Sequence, residues 1–119
     1  MTEIIGGNSH CDVATAVDRL LSYDIDAIFA FTDTLAIGAM NRLKSVGRRI
    51  PEDVAVAGFS GTELSTIVSP QLTTVEPQQF EMGQKAARLV IDHIEHYSEE
   101  AEKIIVDASI IYRNSTEDA

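Results

Sequence analysis

Apolar residues recur along the chain at helical spacing in three places. The second of these three helices is predicted from Thr34 to about Val46. It is followed by Gly47, and glycine is preferred just after the C-terminus of a helix. A longer helix is predicted over 77–97, with Pro77 in its first turn. The first helix precedes both and carries the apolar positions Val13, Ala14, Val17, Leu20 and Leu21. The apolar stripe of the long helix consists of Phe80, Gly83, Ala87, Val90, Ile91 and Ile94.

Short apolar runs outside these helices predict strands, and the first two of them are continuous enough to predict strands buried on both faces. These runs are 26–31, 54–59 and 72–75, followed after the long helix by 104–106 and 109–112 and then by a polar tail. Leu64, Ile67 and Val68 mark a short helical turn. Because strands alternate with helices, we predict one α/β domain over 1–119. It has a doubly wound, mainly parallel sheet with helices on both faces.

Two polar loops follow the first two predicted strands, at the carboxyl ends where ligands bind in such sheets. Thr32-Asp33-Thr34 follows the first strand, and Ser60-Gly61-Thr62 follows the second. Their hydroxyl and carboxyl groups can hydrogen-bond a sugar or a nucleoside. Thr32 and Asp33 would equally cap the following helix in the absence of any ligand. Both interpretations stay open from spacing alone.

The charge of the chain argues against direct contact with nucleic acid. Nineteen acidic residues against nine basic ones give a net charge of -10, which repels a polyanion. A basic cluster lies at the end of the second helix, where cations favour the helix dipole, and consists of Arg42, Lys44, Arg48 and Arg49. Cys11 is the single cysteine, and neither a signal peptide nor a membrane span is recognisable. We therefore expect a cytoplasmic protein.

Two catalytic or metal-binding alternatives have weak support. Ser60 lies between a strand and a short helix, as the nucleophile of a serine hydrolase does, but Thr62 stands where that motif requires glycine. No histidine can be assigned as its base. His93 and His96 lie three apart on the long helix, and a solvated helix face explains them better than a metal site. Phosphate-binding glycine loops are absent from the sequence. We expect no enzyme activity, no metal and no cofactor.

A small set of apolar residues is predicted to face outward. Ile37 lies roughly 130° around its helix from the centre of the apolar stripe. Leu64, Ile67 and Val68 lie on a short, superficial helix. Neighbouring apolar patches often mark subunit contacts, so these four residues are a candidate dimer interface. Chance exposure of a single isoleucine is the alternative.

Four blocks of sequence are more specific together than any of them alone. They read AIFAFTDTLAIGA at 27–39, IPEDVAVAGF at 50–59, PQLTTV at 70–75, and Met82-Gly83. In this order and spacing, covering about Ala27 to Tyr112, they resemble the LacI/GalR family of bacterial transcriptional regulators.

The resemblance implies an effector-binding domain with the type I periplasmic-binding-protein-like fold, in which a ligand closes two subdomains and alters DNA affinity. It implies effector contacts at Thr32, Asp33 and Ser60, and a homodimer face near Ile37, Leu64 and Val68. The effector would be a small molecule of the sugar or nucleoside class. DNA would be bound only through an N-terminal headpiece absent here. A periplasmic sugar-binding transport component of the same fold is the alternative.

The chain differs from the family pattern at two positions that can touch ligand. Serine stands at Ser60, where the family usually has an acidic residue, and Pro77 stands where glutamine is frequent. A carboxylate can accept two sugar hydroxyls at once and a serine cannot, so the identity of the effector stays open.

The resemblance also places the chain in the C-terminal part of the effector-binding domain. The helix over 77–97 would then pack against an N-terminal subdomain that this sequence lacks. Met82 and Leu89 lie off the main stripe of that helix and are expected to be exposed here.

Overall fold

The computed structural model describes residues 10–117. Strands and helices alternate along them, as the apolar pattern predicts. The helices are α1 His10–Leu20, α2 Asp33–Ser45, α3 Leu64–Ile67 and α4 Gln79–Glu95. The strands are β1 Ala27–Phe29, β2 Ala55–Phe59, β3 Thr73–Glu76 and β4 Ser109–Ile111. The predicted α/β fold is confirmed. No helix of this described part is long and apolar enough to cross a membrane.

The four strands form one sheet in the order β1-β2-β3-β4. β1, β2 and β3 are parallel to their neighbours, and β4 runs antiparallel to β3. Ile28 lies opposite Val56, and Phe59 lies opposite Val75. Because the first three strands point the same way, their carboxyl ends meet at one edge of the sheet.

The core lies between the sheet and helices α1 and α2. Helix α2 forms because its apolar side chains recur every three or four residues, which places them on one side facing β2. The buried apolar residues are Val17, Ile28, Ala36, Ala39, Met40, Leu43, Ile50, Val54, Val56 and Leu72. This core fixes α2, and therefore the loop before it, against the sheet.

Helices cover only one face of the sheet within residues 10–117. In β1, Ile28 is buried, whereas the next side chain along, Phe29, is 66% exposed. We expected strands buried on both faces and helices on both faces of the sheet. Within the described residues, helices cover one face, and the other face is exposed. Right-handed crossovers explain this, since successive parallel strands added in one direction place their connecting helices on the same face.

The run Ile104-Ile105-Val106 was predicted to be a strand, and that prediction is wrong. It pairs with no strand in the described chain. Instead the segment lies beside α4, where Ile104 and Val106 line a shallow groove with Met82 and Leu89. A strand needs a neighbouring backbone for its hydrogen bonds, and α4 offers none.

Helix α4 begins two residues later than predicted, because Gln78 adopts a left-handed conformation with φ 52°. None of its residues is buried. Met82 is exposed as expected, but Leu89 is half-buried, because the segment with Ile104 packs beside it. We call residues 10–76 with 109–117 the sheet lobe, and residues 77–108 the helix arm.

Candidate functional site

The predicted polar loops lie together at the carboxyl edge of the parallel strands. Backbone hydrogen bonds fix the strand ends, with Ala30 N donating to Ala57 O and Ser60 N donating to Val75 O, both at 2.9 Å. The edge is therefore formed by the loop after β1, the loop after β2 and the last residue of β3. This is where ligands bind in open α/β sheets.

The carboxylate of Asp33 ties these elements to one another. It is fully buried. Its Oδ2 accepts hydrogen bonds from Thr62 N at 2.7 Å and Thr62 Oγ1 at 2.8 Å, and its Oδ1 accepts one from Thr74 Oγ1 at 2.5 Å. A buried carboxylate is tolerated only when it is hydrogen-bonded in this way, and the first turn of a helix also favours a negative charge. Asp33 thus fixes the loop after β2 onto the start of α2.

Gly58 makes room for this carboxylate. A Cβ atom at position 58 would lie 2.5 Å from Asp33 Oδ1 and 3.2 Å from Leu72 Cδ2. Any side chain larger than the hydrogen atom of glycine would therefore collide with the buried Asp33 carboxylate and its hydrogen bonds. A ligand contact of Asp33 stays a prediction, and in this structure both of its oxygens are turned inward to Thr62 and Thr74.

Thr32 caps helix α2. Its backbone is extended, and its Oγ1 accepts a hydrogen bond from Leu35 N at 3.3 Å. The capping interpretation therefore has a direct contact. It is compatible with ligand binding, because a hydroxyl retains its own proton and a second lone pair while it accepts one bond.

Ser60 occupies a strained position. Its φ of 122° lies in the region that favours glycine, and such conformations cost of order 1–3 kcal/mol and cluster at functional sites. Its carbonyl oxygen accepts a bond from Gln79 Nε2 at 3.0 Å. Within residues 10–117, no hydrogen bond involves its hydroxyl. The half-buried Ser60 hydroxyl is thus free for a ligand.

Glu76 and Phe31 lie at the same edge, and sequence reasoning did not select them. Glu76 is half-buried at the end of β3, with its side chain against Gly61. Phe31, next to Thr32, is 81% exposed. Glu76 could have been found as the polar residue that ends an apolar strand. Phe31 was hidden because it continues an apolar run that predicts burial.

The four residues of the predicted dimer face are not equally exposed. Ile67 is 71% exposed and Leu64 is 45% exposed. Ile37 was expected to face outward, but it is half-buried and packs against the core, as does Val68. Helix α1 approaches α2 one residue further on, at Gly38, which closes that side of α2.

The two weaker hypotheses, a serine hydrolase and a metal site, are not supported by contacts in the described part of the structure. In the described part of the chain, Ser60 has no hydrogen bond to a histidine. The ring of His93 meets that of Tyr97 edge-on at 5.4 Å. Among the side chains that the structure describes, there is no group of three or more from His, Cys, Asp or Glu that could hold a metal ion.

Comparisons with known proteins agree with this architecture. The family model for the periplasmic binding protein-like domain matches residues 4–116. The HTH-type transcriptional repressor PurR of Vibrio cholerae serotype O1 is 36% identical over 118 residues, which cover 97% of this chain. The ribose operon repressor of Halalkalibacterium halodurans is 34% identical over 116 residues, or 95% of this chain. This chain spans about a third of each relative, since it covers 35% of their length.

A solved structure of a LacI family transcriptional regulator from Enterococcus faecium, with bound ribose, superposes with a TM-score of 0.80 at 30% identity. The match covers 91% of this chain and 40% of that one. The predicted family resemblance is confirmed. The chain therefore belongs to the periplasmic binding protein-like domain family, in the form found in regulators of the LacI/GalR type.

Proposed function

We propose that the chain binds a small effector of the sugar or nucleoside class at the edge formed by Thr32 and the loop containing Ser60. The observation that carries this proposal is the Asp33 network. It ties two loops together at the carboxyl ends of parallel strands, and beside it the Ser60 hydroxyl has no hydrogen-bond partner in the described part of the chain. A rigid loop with a free hydroxyl is preorganised for a ligand, which reduces the entropy lost on binding.

The chemistry of this edge suits a polyhydroxy ligand. The hydroxyls of Thr32 and Ser60 can both donate and accept hydrogen bonds. The exposed ring of Phe31 adds an apolar surface beside them, and binding sites typically combine apolar walls with a few polar groups. The contacts we propose are Thr32, Asp33 and Ser60, with binding alone and no bond made or broken.

We propose that this binding serves a cytoplasmic transcriptional regulator. The relatives reported above are named repressors, and the solved neighbour is a regulator with bound ribose, which favours regulation over sugar transport. DNA would be contacted by a headpiece outside this chain, since a net charge of -10 disfavours direct contact. Effector binding would then change DNA affinity through a coupling free energy between two sites.

Titration calorimetry with D-ribose tests the proposed site. We expect saturable binding by the chain. Replacing Ser60 with alanine removes one hydrogen bond and should weaken binding about 3- to 10-fold. Ser98→Ala, in the helix arm, is the matched control and should leave the affinity unchanged. Equal loss in both variants, or none in either, contradicts the placement of the site.

We propose that α4 packs its apolar stripe on the N-terminal subdomain of a complete effector-binding domain. The exposure of Phe80, Ile91 and Ile94 supports this proposal. In the chain alone, backbone amides of α4 should exchange with solvent faster than those of α2, because no residue of α4 is buried whereas one side of α2 packs in the core. Equal protection of the two helices would contradict an unpartnered stripe.

We propose that the chain forms a homodimer through Leu64 and Ile67, with Ile37 and Val68 at the margin. The exposure of the first two supports this face. Sedimentation velocity of Ile67→Glu should show more monomer than the parent chain, because a buried unpaired charge disfavours association. Ile105→Glu alters a similarly exposed isoleucine of the helix arm and is the control. A dimer unaffected by Ile67→Glu would exclude this face.

A further inference from the structure

Two carboxylates lie at the proposed effector site, and they differ in their hydrogen bonding. Asp33 is fully buried and accepts three hydrogen bonds from Thr62 and Thr74. Glu76 is only half-buried, and among residues 10–117 its carboxylate has no hydrogen bond and no ion pair. Glu76 therefore keeps its full capacity to accept hydrogen bonds from a ligand.

The loop after β2 is shaped around the Glu76 side chain. Gly61 has φ 62°, and a Cβ atom on it would lie 3.1 Å from Glu76 Cβ and 3.2 Å from Glu76 Oε2. The positive φ favours glycine at this position, and a larger side chain there would crowd the glutamate. The carboxylate rests against the residue that follows Ser60.

The backbone around Glu76 is fixed on both sides. Gly61 N donates to Thr74 Oγ1 at 3.2 Å, and Ser60 N donates to Val75 O at 2.9 Å. In the β ladder Glu76 lies opposite Ser109 of β4. The backbone that carries the Glu76 side chain is therefore held beside the Ser60 loop by its neighbouring strand and loop.

We infer that Glu76 is a specificity-determining residue of the effector site, accepting hydroxyl groups of an uncharged polyol and disfavouring phosphorylated sugars. This inference rests on the proposed function. A carboxylate can accept two hydroxyl donors at once, and such charge-assisted bonds are stronger than neutral ones. The same negative charge repels a phosphate group brought close to it in a partly desolvated site.

Calorimetry with D-ribose and ribose 5-phosphate tests this role. The parent chain should bind ribose more tightly than its phosphate. Glu76→Gln keeps the size of the side chain and removes its charge, so ribose affinity should fall about 10- to 100-fold. The preference for ribose over ribose 5-phosphate should shrink as well, which a purely structural role of Glu76 would not cause.

Glu63→Gln is the matched control. Glu63 is exposed next to the same loop and makes no capping hydrogen bond to α3, so this variant removes one charge from outside the proposed site. It should bind both sugars like the parent. If Glu76→Gln behaves like Glu63→Gln, the role of Glu76 is excluded while the proposed function stands.

Binding of neither sugar by the parent chain would overturn the proposed function and this inference with it. If Glu76→Gln fails to fold, the same measurements are made on Glu76→Asp. Aspartate keeps the negative charge but places it one methylene group further from the ligand. We expect Glu76→Asp to bind ribose more weakly and still to prefer it over the phosphate. Unchanged ribose affinity in Glu76→Asp would overturn the inference.

Discussion

Helices α2 and α4 both carry apolar residues at helical spacing, and the more clearly amphipathic of the two, α4, is the one whose stripe is not buried. In α2, Ala36, Met40 and Leu43 are almost inaccessible to solvent. In α4, no residue is buried, and Phe80 is 80% exposed. Apolar residues at helical spacing therefore identify a helix face that is stabilised by packing against another element. The spacing does not show whether that element is part of the same chain.

The same contrast separates the sheet lobe from the helix arm. The lobe has a closed core and a polar network that locks the proposed site through Asp33. The arm consists of α4 and the segment beside it, and its helix has no buried residue. Stability should therefore come from the lobe, and substitutions in the arm should have little effect in this chain.

The largest difference is expected between two methionines. Met40 in α2 is 1% exposed, whereas Met82 in α4 is 48% exposed. Met40→Ala should lower the free energy of unfolding by about 2–5 kcal/mol, because it leaves a cavity in the core. Met82→Ala should change it by less than about 0.5 kcal/mol. Urea denaturation followed by circular dichroism measures both values, and equal losses would mean that α4 is packed in solution.

A smaller effect, of opposite sign in the two regions, is expected at two glycines. Gly58→Ala places a methyl group against Asp33 Oδ1 and should cost about 1–3 kcal/mol through overpacking. Gly83, inside α4, has no atom within 4 Å of a Cβ. Gly83→Ala should therefore stabilise the helix by up to about 1 kcal/mol. Thermal unfolding of both variants decides this, and a destabilised Gly83→Ala would reveal a partner on that side of α4.

The smallest effect concerns the acid dependence of the sheet lobe. Hydrogen bonds from Arg49 lower the pKa of Asp53 to about 2, from an ordinary 3.8. A depressed pKa in the folded state gives stability that is present above about pH 4 and is lost as the pH falls towards 2. In Asp53→Asn this part of the acid-induced decrease in Tm should be missing. If Tm falls equally in the parent and in the variant between pH 4 and 2, Asp53 makes no such contribution to the acid dependence of stability.

The sequence predicts most of the fold, because local patterns determine it. The apolar runs predict β1, β2 and β3 to within one or two residues at most ends. Gly47 and Thr32 mark the two ends of α2. The positions of the two site loops follow from the parallel order of the strands. Each of these predictions depends only on residues close together in the chain.

Contacts between distant residues could not be predicted in this way. Ser115 belongs to a segment predicted to be a polar tail, yet it is fully buried. Its hydroxyl accepts from Thr73 N and donates to Val56 O, across 42 and 59 residues. The inward orientation of Asp33 likewise depends on Thr62 and Thr74, 29 and 41 residues away. No periodicity encodes such pairs.

The effector site at the carboxyl edge of the sheet lobe is the central claim, and nuclear magnetic resonance tests it most directly. D-ribose is titrated into the ¹⁵N-labelled chain while the backbone amide signals are recorded. We predict saturable shifts at Thr32 and at Ser60, Gly61 and Thr62, with the signals of α4 at 82–95, beyond the turn that contacts Ser60, unmoved. Shifts confined to α4, or no saturable shift at the Ser60 loop, would contradict the account.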